Sequence, residues 1–158
     1  MPIVEPEVLM DGIHTIDTSF DVTDRTLRTV FDQLEKHNVD LEGIVLKPNM
    51  VLSGYNCENQ ASVEEVAQKT LECLTKNVPS KVPGIAFLSG GQSDELATLH
   101  LNEINKHDTN WNVTFSYGRA LQQSALKIWA GKSDNAKAAQ ETLLSRAKSN
   151  SLASTASL

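Results

Sequence analysis

"GIVLKPNM", residues 43–50, sets a lysine directly between an apolar run and a proline. Gly43, Ile44, Val45 and Leu46 are too few for a helix and carry no charge. They read as a short strand buried on both faces, as in a parallel sheet. Lys47 then stands at the carboxyl end of that strand. Three more runs read the same way: Ile3-Val4, Gly84 to Leu88, and Val113 to Tyr117.

Helical patterns separate these runs. After Ile3-Val4, Thr23 or Asp21 can cap a helix whose apolar stripe is Leu27, Val30, Phe31 and Leu34. Ser62-Val63-Glu64-Glu65 reads as a capping box opening a helix with Val66, Ala67, Thr70, Leu71 and Leu74 on one side. Ser93-Asp94-Glu95 opens a third, with Leu96, Leu99 and Ile104 expected inward. Ala120, Leu121, Ser124, Ala125, Ile128 and Trp129 mark a fourth. Gly131 interrupts the chain, and a last helix is expected from about Asp134 to Lys148. The polar stretch from Ser149 is expected to fray, which divides the chain into a domain over 1–150 and a flexible tail over 151–158. Four strands alternating with helices predict an α/β fold with a parallel sheet and right-handed crossovers. Such sheets, open or closed into a barrel, place their chemistry at the carboxyl ends of the strands.

The composition narrows the partners. A chain of 158 residues fits one domain with a real core. A net charge of -6 with no basic stripe argues against nucleic acid, and an anionic substrate would need a locally positive pocket. No apolar run reaches the roughly 18 residues of a membrane span, and the N-terminus lacks a secretory pattern, so a cytoplasmic protein with no membrane partner is expected. Cys57 and Cys73 share no motif and read as idle thiols; His14, His37, His100 and His107 share no metal spacing.

The chemistry-bearing residues gather at the four strand ends. Most lysines are surface lysines, but Lys47 follows four uncharged residues and precedes a proline. Desolvation there would favour the free amine, the form that attacks a ketone or aldehyde to give a Schiff base. Glu5-Pro6-Glu7 follows the first strand. It is either an acidic turn or a general acid/base pair able to dehydrate a carbinolamine. Ser89-Gly90-Gly91-Gln92-Ser93 follows the third. It is either a strand-to-helix turn capped by Ser93 or a cradle of backbone N–H groups for a phosphate. Gly118-Arg119 repeats the arrangement after the fourth strand and adds a guanidinium.

Six segments together resemble class I fructose-1,6-bisphosphate aldolase: "IVEPEVLMDG" (3–12), "LEGIVLKPNMV" (41–51), "FLSGGQSDELAT" (87–98), "INK" (104–106), "TFSYGRALQQSALKIWAGK" (114–132) and "AKAAQETLLSRAKSNS" (136–151). The resemblance implies a (β/α)₈ TIM barrel of which this chain supplies about the second half. It also implies that Lys47 is the Schiff-base lysine, Glu5 the general acid/base, and Glu7 a neighbour supporting the lysine. Ser89, Gly90, Gly118 and Arg119 would bind the C1 phosphate of the substrate. The implied reaction is the glycolytic, reversible cleavage of fructose 1,6-bisphosphate into dihydroxyacetone phosphate and glyceraldehyde 3-phosphate. It needs no cofactor and no metal, because the protonated imine takes up the electrons. A homotetramer is expected of the full-length family; the state of this chain is left open.

A barrel of eight strands takes about 250 residues, whereas four strands are legible here. The chain is therefore expected to be either a fragment of a longer aldolase, which is the favoured reading, or a genuinely short product. The family's first half would add an aspartate, lysines and an arginine that grip the substrate, and its tail often ends in a tyrosine. A half barrel leaves two strand edges without neighbours. Two readings compete with the lyase: a different Schiff-base or phosphate-sugar barrel enzyme, and a non-catalytic half barrel that keeps a phosphate-binding or interaction role.

Overall fold

The computed structural model describes residues 1–158. Four strands, β1 (Ile3–Val4), β2 (Val45–Leu46), β3 (Gly84–Phe87) and β4 (Asn112–Phe115), alternate with α1 (Ile16–Lys36), α2 (Val63–Asn77), α3 (Asp94–Asn105) and α4 (Arg119–Trp129). A fifth helix, α5 (Ala136–Ala153), follows. The sheet order is β1-β2-β3-β4 and every pairing is parallel. Each strand lies beside its predecessor, which is the order of a barrel wall; a doubly wound sheet reverses direction partway. β1 and β4 each have one neighbour.

Leu46, Ile85, Phe87 and Val113 are buried toward the helices with Leu27, Leu74, Leu101 and Ile104. The intervening strand residues are less covered: Val45 and Ala86 are half-buried and Thr114 is exposed. The expectation of strands buried on both faces is therefore corrected. One face carries the core; the other follows the period-two alternation of a half-covered strand.

The helices depart from expectation at particular places. α1 begins well before Asp21 and Thr23, at a Thr15 cap whose hydroxyl accepts from the Thr18 N–H at 3.3 Å. Thr23 lies inside the helix, where its hydroxyl accepts from the buried Asn49 amide at 3.2 Å. Ser62 and Ser93 cap α2 and α3 as expected, each accepting from the N–H three residues on. On α3 the inward face is Ala97, Leu101 and Ile104, while Leu96 and Leu99 are exposed. On α4, Ala120 and Ala125 are buried, while Ile128 and Trp129 are 40% and 45% exposed. α5 runs on through Ala153 instead of ending near Lys148, so the division expected at residue 150 falls inside it. Asn150 and Ala153 are fully buried. The Thr98 hydroxyl donates to Asn150 Oδ1 at 2.7 Å, and Arg146 donates to the Asp94 carbonyl and the Thr98 hydroxyl. The Leu158 N–H donates to Asn102 at 3.1 Å, tying the last residue to α3. No helix is long and apolar enough to cross a membrane.

His100, on α3, is buried against Gln92 Oε1 at 2.6 Å. Burial pushes its imidazole down to about 4 from the ordinary 6.5. The folded chain thus keeps it neutral where the unfolded chain would protonate it. Its stabilising contribution is complete above pH 6.5 and is lost as the pH falls toward 4. The loss should approach about 3 kcal/mol. Urea midpoints at pH 7.5 and 4.5 check it: a His100→Asn chain should lose less stability across that span than the wild type.

Candidate functional site

The β2 ladder carries Lys47 to its position. Its N–H donates to the Val4 carbonyl at 2.8 Å, which extends the β1–β2 pairing by one residue. Pro48 is buried and accepts from the Leu88 N–H at 3.1 Å, linking the ends of β2 and β3. Between these anchors the Lys47 side chain is only 20% exposed. Its Nζ lies 3.0 Å from Glu5 Oε1, the carboxylate just past β1. An amine and an acid on neighbouring strand ends can exchange a proton directly over that distance.

Glu7 is exposed and forms no ion pair with Lys47. The turn that carries both acids is held by Asn49, which is 4% exposed. Asn49 Oδ1 accepts from the Val8 N–H at 3.0 Å, and its Nδ2 donates to Thr23 and to the Met50 carbonyl. A buried amide thus fixes the acidic turn against the lysine strand.

The β3 end is a glycine turn. Gly90 and Gly91 have φ of +56° and +81°, where glycine carries no steric penalty. The Gln92 N–H closes the turn on the Ser89 carbonyl at 3.0 Å, and Ser89 is buried. No backbone acceptor takes the N–H groups of Gly90 and Gly91, nor those of Gly118 and Arg119 at the start of α4. Four free donors at two adjacent strand ends suit an anion, and the macrodipoles of α3 and α4 add to that preference. Arg119 brings the two turns together: its Nη2 lies 3.3 Å from the place a Cβ would take at Gly91.

Sequence reasoning picked out Lys47, Glu5, the glycine turn and Arg119, but not Asn49 or Tyr55. Tyr55 donates from its phenol to the Gly90 carbonyl at 2.5 Å. The one local hint of Asn49 was a polar residue two places after the lysine, inside an otherwise apolar stretch.

A parallel α/β wall with an amine–carboxyl pair beside two turns rich in free backbone donors has the layout of part of a (β/α) barrel with its polar groups at the strand ends. The family model described as "Glycolytic: Fructose-bisphosphate aldolase class-I" matches residues 1–158, and the chain belongs to that family. It is 54% identical over 155 residues to a "Probable fructose-bisphosphate aldolase class 1" of Xanthomonas axonopodis pv. citri, covering 97% of this chain and 46% of that protein. It is 55% identical over 153 residues to "Fructose-bisphosphate aldolase 2, chloroplastic" of Pisum sativum, covering 97% of this chain and 44% of that one. Among solved structures it superposes on fructose-bisphosphate aldolase from Plasmodium falciparum, described in complex with TRAP and a small-molecule inhibitor. There the TM-score is 0.96 at 48% identity, over 99% of this chain and 46% of the other. The four βα units are therefore half of a TIM barrel, and the chain spans less than half the length of these relatives. The pea protein is described as chloroplastic, so the family likeness carries no compartment with it.

Proposed function

We propose that this chain carries the Schiff-base half of a fructose 1,6-bisphosphate aldolase site. The observation that carries the reading is the 3.0 Å contact between Lys47 Nζ and Glu5 Oε1, at adjacent strand ends of a class I aldolase family member. Lys47 attacks the C2 ketone, and Glu5 donates a proton as the carbinolamine loses water. The Glu5 carboxylate then takes the C4 hydroxyl proton as the C3–C4 bond breaks with its electrons drawn into the iminium, giving an enamine and releasing glyceraldehyde 3-phosphate. Protonation at C3 and hydrolysis release dihydroxyacetone phosphate and restore the amine. Glu7 stands on the same turn without an ion pair to Lys47, so any support it gives the lysine is through the field of its carboxylate. Ser89, Gly90 and Gly118 hold the C1 phosphate by backbone donors, and Arg119 adds its guanidinium. The family's homotetramer and a cytoplasmic setting belong to the same proposal.

A second reading rests on coverage. Both anion-binding turns lie within these 158 residues, whereas more than half of each relative lies outside the match. Phosphate-ester binding without turnover then describes the chain by itself. Measuring fructose 1,6-bisphosphate cleavage beside dihydroxyacetone phosphate binding separates the two: turnover supports the lyase, and binding with none supports the second reading.

Arg119→Ala should weaken dihydroxyacetone phosphate binding about tenfold, the scale of one exposed charge-assisted contact. Where turnover is measurable the loss should fall on KM, because a phosphate grip holds ground and transition states alike. A fall in kcat at constant KM would instead place Arg119 at the reacting carbons.

A further inference from the structure

We propose that Tyr55 is a positioning residue for the anion-binding turn: its phenol holds the Gly90 carbonyl so that the Gly91 N–H faces the bound phosphate. The inference rests on the aldolase reading for the identity of that phosphate, but its geometry stands apart from it.

Tyr55 joins three strand ends. Its own N–H donates to the Met10 carbonyl at 2.9 Å, between the Gly54-to-His14 and Asn56-to-Gly12 bonds, each also 2.9 Å. This short ladder fixes the segment after β2 to the segment after β1. The phenol then crosses to β3 and meets the Gly90 carbonyl at 2.5 Å. At the other side of the turn, Arg119 reaches in from β4's end. The backbone of Tyr55 is thus anchored to one side of the mouth while its side chain restrains the other.

The direction of the restraint follows from the peptide unit. The Gly90 carbonyl and the Gly91 N–H belong to one trans peptide, so they point opposite ways. Holding the oxygen on the Tyr55 side sends the N–H away from it, and that N–H has no backbone partner. Two glycines in succession can rotate this peptide at little cost, so an outside restraint has an orientation to fix. The fit is close as well. A Cβ at Gly91 would lie 1.6 Å from the phenol oxygen and 2.8 Å from Cζ. Partial burial, with the Asp11 and Glu7 carboxylates adding to it against the Arg119 guanidinium, raises the phenol above its ordinary 10.0. The group therefore stays a donor at neutral pH.

Tyr55→Phe keeps the ring and removes only the donor, so the chain should fold as before. ¹⁵N relaxation of Gly90 and Gly91 in the 158-residue chain reads the restraint, and both amides should become more mobile in the variant. Affinity for dihydroxyacetone phosphate should fall about fivefold, the scale of one hydrogen bond. Borohydride trapping of unphosphorylated dihydroxyacetone on Lys47 should be unchanged, a split that a general loss of structure would not give. Unchanged relaxation in Tyr55→Phe overturns the restraint, whatever the chain binds. A looser turn with unaltered phosphate-ester affinity overturns its role in positioning. Looser glycines in a chain whose wild type traps no ketone on Lys47 uphold the restraint and remove the aldolase reading instead.

Discussion

Lys47→Ala is expected to abolish imine formation outright. Borohydride reduction with dihydroxyacetone phosphate should leave no adduct on the variant, and turnover should fall to background in any context where the wild type turns over. The expectation follows from position. Lys47 is the amine at the end of β2, four-fifths covered and 3.0 Å from an acid, while the other lysines of the chain lie outside the strand-end cluster. Lys69, Lys76 and Lys106 each meet a carboxylate as well, but none of them stands at a strand end beside the two glycine-led turns. Phosphate-ester binding should persist in weakened form, because the two glycine-led turns do not depend on the amine. An adduct of undiminished yield on Lys47→Ala would place the nucleophile elsewhere.

Glu5→Gln should slow the chemistry about 10²-fold or more while leaving sugar phosphate binding largely intact. The amide keeps the size of the acid and can still contact the Lys47 side chain, so the acidic turn and its Asn49 anchor have no reason to move. What it loses is the ability to give and take a proton. Each step from carbinolamine to imine needs that transfer, as does protonation of the enamine. The rate of imine trapping reads the effect even where full turnover is absent. Equal rates for the two proteins would remove Glu5 from the mechanism and turn attention to Glu7 on the same turn.

Much of this was legible before any coordinates. The four apolar runs fixed the number of strands, and their alternation with capped helices fixed the parallel pairing, because local signals agreed at each boundary. Ser62 and Ser93 cap as read, since nothing in the tertiary structure competes for their hydroxyls. Thr23 misled for the opposite reason: its hydroxyl serves Asn49, and Ser19 likewise accepts from the Leu52 N–H at 3.3 Å. A hydroxyl that looks like a cap was committed to a distant partner. The inner face of α3 was misread because Ala97 is small and weakly apolar, yet it packs inward where Leu96 does not. The C-terminal stretch looked frayed from its serines and alanines. It is helical to Ala153 because Asn150 and Arg146 find partners on α3, which no local pattern reveals.

The site divides the same way. Lys47 and Glu5 were singled out because they stand where strands stop, and the fold sets them 3.0 Å apart. Asn49 and Tyr55 did not, since their partners Val8 and Gly90 are 41 and 35 residues away. Polar residues that orient others carry little signal in the sequence when the groups they orient are brought near only by folding.

Borohydride trapping of dihydroxyacetone phosphate on the wild-type chain, followed by peptide mass mapping, tests the reading most directly, with circular dichroism confirming that the chain is folded. A single adduct on the peptide containing Lys47 is the expected result. A folded chain that gives no adduct, or gives one on another lysine, would contradict it.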